Sequence, residues 1–401
     1  MRSMLLMPSS GPVSVCHIIF ALLISLVFLL PVQVANAVEV TSVSGSVSDG
    51  TSITISGLDF GSYGPNVVVF DDFESGAANS EINTGPGSAK YGEWDNISSY
   101  GSEFYGATVS VSGSKSFTSD YSVSYVNWIE ALLPASTRSV FISWWLFLPA
   151  NNNLPGEGNS AGINWKQMWI QGADTTDDDL VVPTLLGTSS SSWYINGNER
   201  DPGYKNYTTV DFHKGEWKRL WVWLKGSTTS TSGDGEVKFW ELTNSGVVQR
   251  ENDIGVNTLK QSGAWQRVRP NGYGRQTSNC RTSFDDIYIA AGPYAQARVE
   301  MGNAATYNTS TKLAILTPTS WADRSISATV NVGSFNSGER AYLYVFDRNG
   351  AVNSTGYEVF VGSAAPPGYG EDEEESPPDE GDDETPTKPE PPTELRIQSQ
   401  N

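Results

Sequence analysis

The stretch "VSGSVSDGTSITISGLDFGSYGPNVVVF" (Val43–Phe70) has the pattern of a small antiparallel β-domain. Ile53 and Ile55 fall on one face of a strand and the hydroxyl residues around them fall on the other, which predicts a half-buried strand. The following "GLDFGSYG" places glycines where the chain must turn sharply, with Phe60 as a candidate core residue. The residues directly after Phe70 do not complete such a domain.

The composition of the 401-residue chain favours strands over helices. Only 17% of the residues are charged, and Gly, Ser, Thr, Asn and Trp are abundant, which is typical of many short strands joined by turns. The net charge is −20 and no basic patch interrupts it, which argues against a nucleic-acid partner. The length is sufficient for two domains.

Both ends of the chain are predicted to lie outside the folded part. Residues 1–37 combine Arg2, the apolar run "IIFALLISLVFLL" and a terminal "VANA", which is typical of a cleaved secretory signal. No second long apolar run follows, so we expect an exported protein, secreted or at the cell surface, with no membrane span after processing. Residues 365–401 form an acidic, Pro-rich tail that is predicted to be disordered.

A series of aromatic strands occupies residues 71–296. The clearest are "SVFISWWLFLP", "GINWKQMWIQG", "GEWKRLWVWLKG", "GEVKFWEL" and "SFDDIYIAAG", and long polar loops separate them. Strands at this spacing, without an amphipathic helical stretch, predict an all-β fold with an antiparallel β-sandwich.

Two separated segments resemble the two halves of an IPT/TIG domain, an immunoglobulin-like module of many secreted and surface proteins. "SITISGLDFGSYGPNVVVF" resembles the first half, and "PTSWADRSISATVN" with "AYLYVFDRNGAVNSTGYEVFV" resembles the second. The resemblance implies a small immunoglobulin-like β-sandwich formed by residues 38–70 and 297–364 together. Neither half could close a sandwich alone.

The middle of the chain resembles the concanavalin A-like jelly roll of lectins, laminin-G-type modules and several glycoside hydrolases and polysaccharide lyases. The similarity rests on "FDDFESG", "GEWKRLWVWLKG", "GDGEVKFWEL" and "SFDDIYIAAG". The termini of a jelly roll lie side by side, which suits insertion into a loop of a host domain. We therefore expect residues 71–296 to be a jelly roll inserted into the immunoglobulin-like domain.

Two predicted strands carry rows of aromatic and polar residues. Alternation places Arg219, Trp221 and Trp223 on one face of "GEWKRLWVWLKG", and Trp165, Gln167 and Trp169 on one face of "GINWKQMWIQG". Sugar rings present apolar C–H faces rimmed by hydroxyl groups, so flat aromatic rings beside amide and charged groups suit a carbohydrate. The alternative is that these tryptophans only fill the core.

The stretch "WQRVRPNGYGRQ" adds further candidates for ligand binding, namely Arg269, Tyr273 and Arg275. Guanidinium groups suit carboxylates and sulfates, so a uronate or sulfated polysaccharide is a reasonable ligand class. Salt bridges to the acidic surface would explain the same arginines without a ligand.

Whether the jelly roll is an enzyme stays open in the sequence. It lacks the E-x-D-x-E strand of laminarinase-type glycosidases and the "R-x-E-x-R" and "Q-I-H" strands of alginate-lyase-like jelly rolls. The resemblance to alginate-lyase-like jelly rolls implies that a lyase here would need four side chains to meet at one site, namely His213, Tyr273, Gln167 and Arg269. The alternative for His213 is an exposed turn residue.

Adjacent aspartates fall at the first and last strands of the predicted jelly roll. Asp72 and Asp286 are candidate ligands of a structural Ca²⁺, because neighbouring terminal strands could bring their carboxylates together and calcium needs several oxygen ligands. The resemblance implies such a calcium in many jelly rolls of this type. The alternative is that these aspartates only cap turns and an edge strand.

From these observations we expect an exported, non-catalytic carbohydrate-binding or adhesion protein that recognises an extracellular polysaccharide through an aromatic-lined face of the jelly roll. A polysaccharide lyase or glycoside hydrolase on the same scaffold is the second hypothesis, and a purely structural surface module is the third. The oligomeric state stays open.

Overall fold

The computed structural model describes residues 37–362 apart from 161, 173–178, 188–192, 198–204, 209–212, 230 and 259–262, and it describes backbone alone for the strands between 179 and 208. Residues 1–36 of the predicted signal and the whole predicted acidic tail lie outside this part of the chain. No helix in the described residues is long and apolar enough to cross a membrane.

The described residues are all-β, with one 3₁₀ turn at Tyr307–Thr309. In chain order the strands are β1 (Glu39–Ser44), β2 (Ser52–Leu58), β3 (Asn66–Asp71), β4 (Gly85–Pro86), β5 (Tyr91–Trp94), β6 (Asn96–Ile97), β7 (Glu103–Gly106), β8 (Ser116–Asp120), β9 (Ile129–Thr137), β10 (Ser139–Phe147), β11 (Ile163–Gly172), β12 (Asp179–Gly187), β13 (Trp193–Gly197), β14 (Lys205–Thr208), β15 (Lys218–Lys225), β16 (Gly235–Thr243), β17 (Gly246–Val256), β18 (Trp265–Gly274), β19 (Arg281–Ala291), β20 (Arg298–Gly302), β21 (Leu313–Ala322), β22 (Ser325–Thr329), β23 (Arg340–Phe346) and β24 (Tyr357–Phe360).

Two antiparallel sheets form a large sandwich. One has the strand order β17-β16-β15-β10-β19-β3-β5-β4, with β7 and β8 attached beside β19, and the other has the order β14-β13-β12-β11-β18-β9-β6. Alternate residues of both sheets meet in one core, to which β15 contributes Leu220, Val222 and Leu224. This aliphatic row is the one that the alternation in "GEWKRLWVWLKG" predicts.

Strands from both ends of the described chain form a second, smaller sandwich. Its strand order is β1-β2-β22-β21-β20-β23-β24, and β2 pairs with β22 so that Ile55 lies opposite Ile326. The turn at residues 321–323 contacts the turn at residues 59–61. Trp321 Nε1 donates hydrogen bonds of 3.1 Å to the carbonyl oxygens of Phe60 and Gly61. Phe60 is fully buried. Segments more than 250 residues apart in sequence therefore close one core.

The strand β3 corrects the predicted boundary at residue 70. It pairs with β19, so that Phe70 lies opposite Tyr288, and it belongs to the large sandwich rather than pairing with residues near 297–301. Its continuous apolar run reflects burial on both faces, because Val69 packs in the large core while Val67 and Phe70 pack against the small sandwich. The large sandwich therefore includes Asn66–Asp71.

The outer face of the larger sheet is covered by the small sandwich. Phe141, Trp221, Trp223 and Tyr288 of the large sandwich pack with Tyr307, Leu313, Ile315, Tyr344 and Phe346 in a third apolar cluster. The outer face of the other sheet of the large sandwich, which contains β11 and β18, has no such cover among the described residues.

Candidate functional site

The candidate site lies on the large sandwich, on the outer face of the sheet β14-β13-β12-β11-β18-β9-β6. Strands β11 and β18 run side by side there. Trp169 lies directly opposite Arg269 across this pair, and Lys166 lies opposite Tyr273. The core-facing residues of the same strands belong to the core of the large sandwich, so these four side chains point away from it. Trp128, which directly precedes β9, lies beside them. We call Trp128, Lys166, Trp169, Arg269 and Tyr273 the outer aromatic face.

The side chain of Lys166 lies between two aromatic rings of this face. Its Nζ is 4.9 Å from the ring centroid of Trp169 and 5.7 Å from that of Tyr273. A cation at such distances is attracted by the ring faces, so it fixes the orientation of both rings. Both rings are half-buried and keep part of their surface open. Lys166 itself is only 8% exposed, so the face combines partly open ring surface with a positive charge that lies just beneath it.

A second cation–aromatic pair is held in place by a buried carboxylate. The guanidinium carbon of Arg269 lies 4.1 Å from the ring centroid of Trp128, and Nε donates to Glu130 Oε2 at 2.6 Å. Glu130 also accepts hydrogen bonds from Arg267 Nη1 at 3.4 Å and Asn96 Nδ2 at 2.7 Å. Because its side chain is almost fully buried, Glu130 is an anchor for both guanidinium groups rather than a surface charge.

A shallow, open cleft of about 590 Å³ adjoins the outer aromatic face. Tyr125, Tyr273 and Arg275 are among its lining residues, and the rings of Tyr125 and Tyr273 meet edge-on with centroids 6.0 Å apart. Arg275 Nη1 donates to the carbonyl oxygen of Gly162 at 2.6 Å, which holds the guanidinium at the cleft. The predicted residues Tyr273 and Arg275 are thus brought together with Trp169 and Arg269 along one surface.

A register shift in β11 corrects the predictions for Trp165 and Gln167. The shift directly after Lys166 breaks the alternation, so Trp165 and Trp169 lie on opposite faces. Trp165 is a core residue whose Nε1 donates to Asn271 Oδ1 at 3.1 Å. Gln167 is fully buried, and neither polar atom of its side chain has a hydrogen-bond partner among the residues that the structure describes.

The structure also corrects the prediction for Arg219, Trp221 and Trp223. Both tryptophans are buried between the two sandwiches, and Arg219 Nη1 lies 2.9 Å from Glu300 Oε2, where neither side chain is accessible. Side chains in this position cannot contact a polysaccharide. The row is too polar for a sandwich core, as the sequence indicates, but it lies between the two sandwiches instead of forming a sugar platform.

The four residues of the lyase hypothesis lie at three kinds of position. Tyr273 and Arg269 share the outer aromatic face, whereas Gln167 is buried in the neighbouring strand. His213 is exposed in the loop before β15, a strand of the opposite sheet, and it forms no hydrogen bond with other described residues. His213 is therefore an exposed loop residue, as the alternative interpretation of the sequence states.

The residues around Asp72 and Asp286 do not fit the predicted calcium site. Lys90 Nζ binds Asp72 Oδ2 at 2.7 Å and Asp49 Oδ2 at 3.0 Å, so an ammonium group already neutralises these carboxylates. Asp286 Oδ1 accepts a hydrogen bond from Ser112 Oγ at 2.6 Å, and burial raises the pKa of Asp286 to about 6. No group of three or more metal-ligating side chains occurs in the described residues.

Sequence reasoning missed Lys166, Trp128 and Glu130. Strict alternation places Lys166 away from Trp169, and only the register shift brings the two together. Trp128 and Glu130 had a usable signal, because "NWIEALLP" alternates and the aliphatic residues 129, 131 and 133 are core residues.

A comparison with models of known protein families gives no match, and neither does a comparison with curated proteins. Solved structures with similar arrangements of strands include an alginate lyase from Aplysia kurodai, with 11% identity over 53% of this chain and 98% of that chain and a TM-score of 0.38. A glycoside hydrolase family 131 catalytic domain from Coprinopsis cinerea matches with 13% identity, 45% and 71% coverage and a TM-score of 0.27.

A binding domain is also among the matched structures. The receptor-binding domain of botulinum neurotoxin type G matches with 9% identity over 70% of this chain and 72% of that chain, at a TM-score of 0.35. The matched structures thus include both enzymes and a receptor-binding domain. At these identities and TM-scores none of them shows what this chain binds or whether it is catalytic.

Proposed function

We propose that this chain is an exported, non-catalytic protein that binds an anionic extracellular polysaccharide on the outer aromatic face. The observation that carries the proposal is the position of Lys166 between the rings of Trp169 and Tyr273. Half-buried rings suit the apolar faces of sugars, and the neighbouring cations suit carboxylate or sulfate groups.

The rigidity of the surface supports binding. Glu130 holds Arg269 on the ring of Trp128, and Lys166 holds the other two rings, so little side-chain freedom is lost when a ligand is bound. The secretory signal predicted in residues 1–37 supports an extracellular ligand.

Affinity gels that contain a polyuronate, a sulfated glycan or a neutral glucan test the proposal. We expect retardation in an anionic gel and about tenfold weaker retardation for Lys166→Ala, because a cation–π group and a charge are removed together. Lys312→Ala is the matched control, since Lys312 Nζ lies 5.0 Å from the Phe335 ring on the small sandwich. Equal weakening by both variants, or no retardation of the native protein in any gel, would contradict the proposal.

A polysaccharide lyase is the second candidate function, favoured by the phenol of Tyr273 beside Lys166 on the same face as Arg269. A lyase needs a proton acceptor next to groups that neutralise the uronate carboxylate. Incubation with polyuronate separates the two functions. Ultraviolet absorbance from unsaturated uronate ends, lost in Tyr273→Phe, would establish a lyase, whereas binding without such absorbance supports the non-catalytic function.

A further inference from the structure

Three tyrosines form a row of rings that starts on the outer aromatic face and leads away from it. The ring centroids of Tyr273 and Tyr125 are 6.0 Å apart, and those of Tyr125 and Tyr100 are 6.1 Å apart. Tyr125 and Tyr100 are 48% and 51% exposed, among the most exposed large side chains in the described residues. We call these three residues the tyrosine row.

Hydrogen bonds hold together the two backbone segments that carry the exposed rings of the row. Ser98 Oγ donates to the carbonyl oxygen of Val126 at 3.1 Å, and Ser102 Oγ donates to Asn127 Oδ1 at 2.6 Å. These bonds join the segment that carries Tyr100 to the segment that carries Tyr125, and the Ser102–Asn127 bond is buried. The rings are therefore presented at fixed positions, at low entropic cost for a ligand.

Neither exposed ring contributes to a core. Tyr100 and Tyr125 belong to none of the buried apolar clusters of the described residues. Single exposed aromatic side chains are ordinary, but two in contact with each other and with a candidate site form a continuous apolar surface. The cleft between Tyr125, Tyr273 and Arg275 leaves space beside this surface for a ligand.

We propose that the tyrosine row extends the binding site, so that it binds successive sugar residues of one anionic polysaccharide chain rather than a single sugar. The inference rests on the proposed function of the outer aromatic face. The ring spacing is comparable with the length of a sugar residue. The rings are inclined to one another by 44° and 67°, so the row offers ring faces and edges for C–H groups and hydroxyls for hydrogen bonds. The occupant follows from the continuity of the row with Lys166 and Arg275.

Calorimetric titration with uronate oligosaccharides of increasing length tests this extension. We expect the affinity of the native protein to rise with length until the row is filled. Tyr100→Ala and Tyr125→Ala should each lose about tenfold in affinity for long oligosaccharides and nothing for a disaccharide, because a disaccharide is held by the outer aromatic face alone. Tyr91→Ala is the matched control, since Tyr91 is 40% exposed on the larger sheet.

The possible failures are distinguishable. If the native protein binds no uronate of any length, both the proposed function and the extension fail. If it binds but Tyr100→Ala and Tyr125→Ala match Tyr91→Ala at every length, only the extension fails. Equal losses for the disaccharide and the long oligosaccharides would also overturn the extension, because they would assign the tyrosines to the primary site.

Discussion

Asp71 is a buried carboxyl group whose protonation is linked to folding. Burial raises its pKa to about 7, although Trp94 Nε1 donates to Oδ2 at 2.7 Å and the backbone N–H of Phe73 donates to Oδ1 at 3.0 Å. A group whose pKa is higher in the folded state binds its proton more tightly there. Its contribution to stability is complete below the ordinary pKa of aspartate and is lost as the pH rises through about 7.

We predict that the free energy of unfolding falls between about pH 4 and pH 7, at up to about 1.4 kcal/mol per pH unit from this group. Asp71→Asn should flatten this slope and lower stability at acid pH, because the amide nitrogen cannot accept a hydrogen bond, whereas above about pH 7 it also removes the cost of the buried charge. Urea unfolding followed by tryptophan fluorescence at several pH values measures both effects. An unchanged slope in Asp71→Asn would show that Asp71 is not the titrating group.

The tryptophans show how far residue types alone predict a site. Composition and alternation indicate correctly that Trp169 belongs to a polar, aromatic surface, but they place Trp165 and Trp221 there as well. Trp165 is in the core because one register shift reverses the faces of β11, and Trp221 is covered because the small sandwich packs on β15. Both causes depend on strand pairing over long distances, which no local pattern contains.

At the scale of elements, β15 and β20 join the two sandwiches through a buried ion cluster. Glu300 on β20 lies 2.9 Å from Arg219 on β15 and 2.5 Å from Arg298, and the phenol of Tyr307 donates to it at 3.2 Å. Burial alone would raise the pKa of Glu300, but the two guanidinium groups hold it below its ordinary value. The cluster therefore stabilises the folded state fully at pH values above the ordinary pKa of glutamate. This stabilisation is lost as the pH falls through the lowered pKa of Glu300.

We expect Glu300→Gln to lower the free energy of unfolding by about 3–5 kcal/mol, because two guanidinium groups would stay buried without a counter-charge. Glu358→Gln is the control, since Glu358 pairs with Arg340 at 3.6 Å on the surface and should contribute less than about 1 kcal/mol. Denaturant titration at neutral pH compares the two variants. Equal effects would contradict the structural role of the cluster.

The split of the small sandwich could be anticipated from its sequence, whereas its boundary could not. The alternation in "TSITISG" and in "RSISATV" indicates two half-buried strands, and the structure pairs them. The run "NVVVFDD" contains no alternation and so gives no information on which sheet it joins. Only the pairing of β3 with β19 decides that question.

At the scale of the whole molecule, the acidic charge works against an anionic ligand. Residues 365–401 hold 12 acidic and 2 basic residues, so they supply about half of the net charge of −20. Removing them should strengthen polyuronate binding at low ionic strength, because long-range repulsion is reduced. At high salt the truncated and full-length proteins should bind equally. A difference that persists at high salt would show that these residues act by contact rather than by charge.

Trp169→Ala tests the central claim, that the outer aromatic face binds the polysaccharide, most directly. We predict that calorimetric titration with a polyuronate gives at least tenfold weaker affinity for this variant, with native stability retained, because Trp169 is half-buried and outside the core. Trp223→Ala should show the reverse, with lower stability and native affinity in the remaining folded protein. Full affinity in Trp169→Ala together with lost affinity in folded Trp223→Ala would contradict the account.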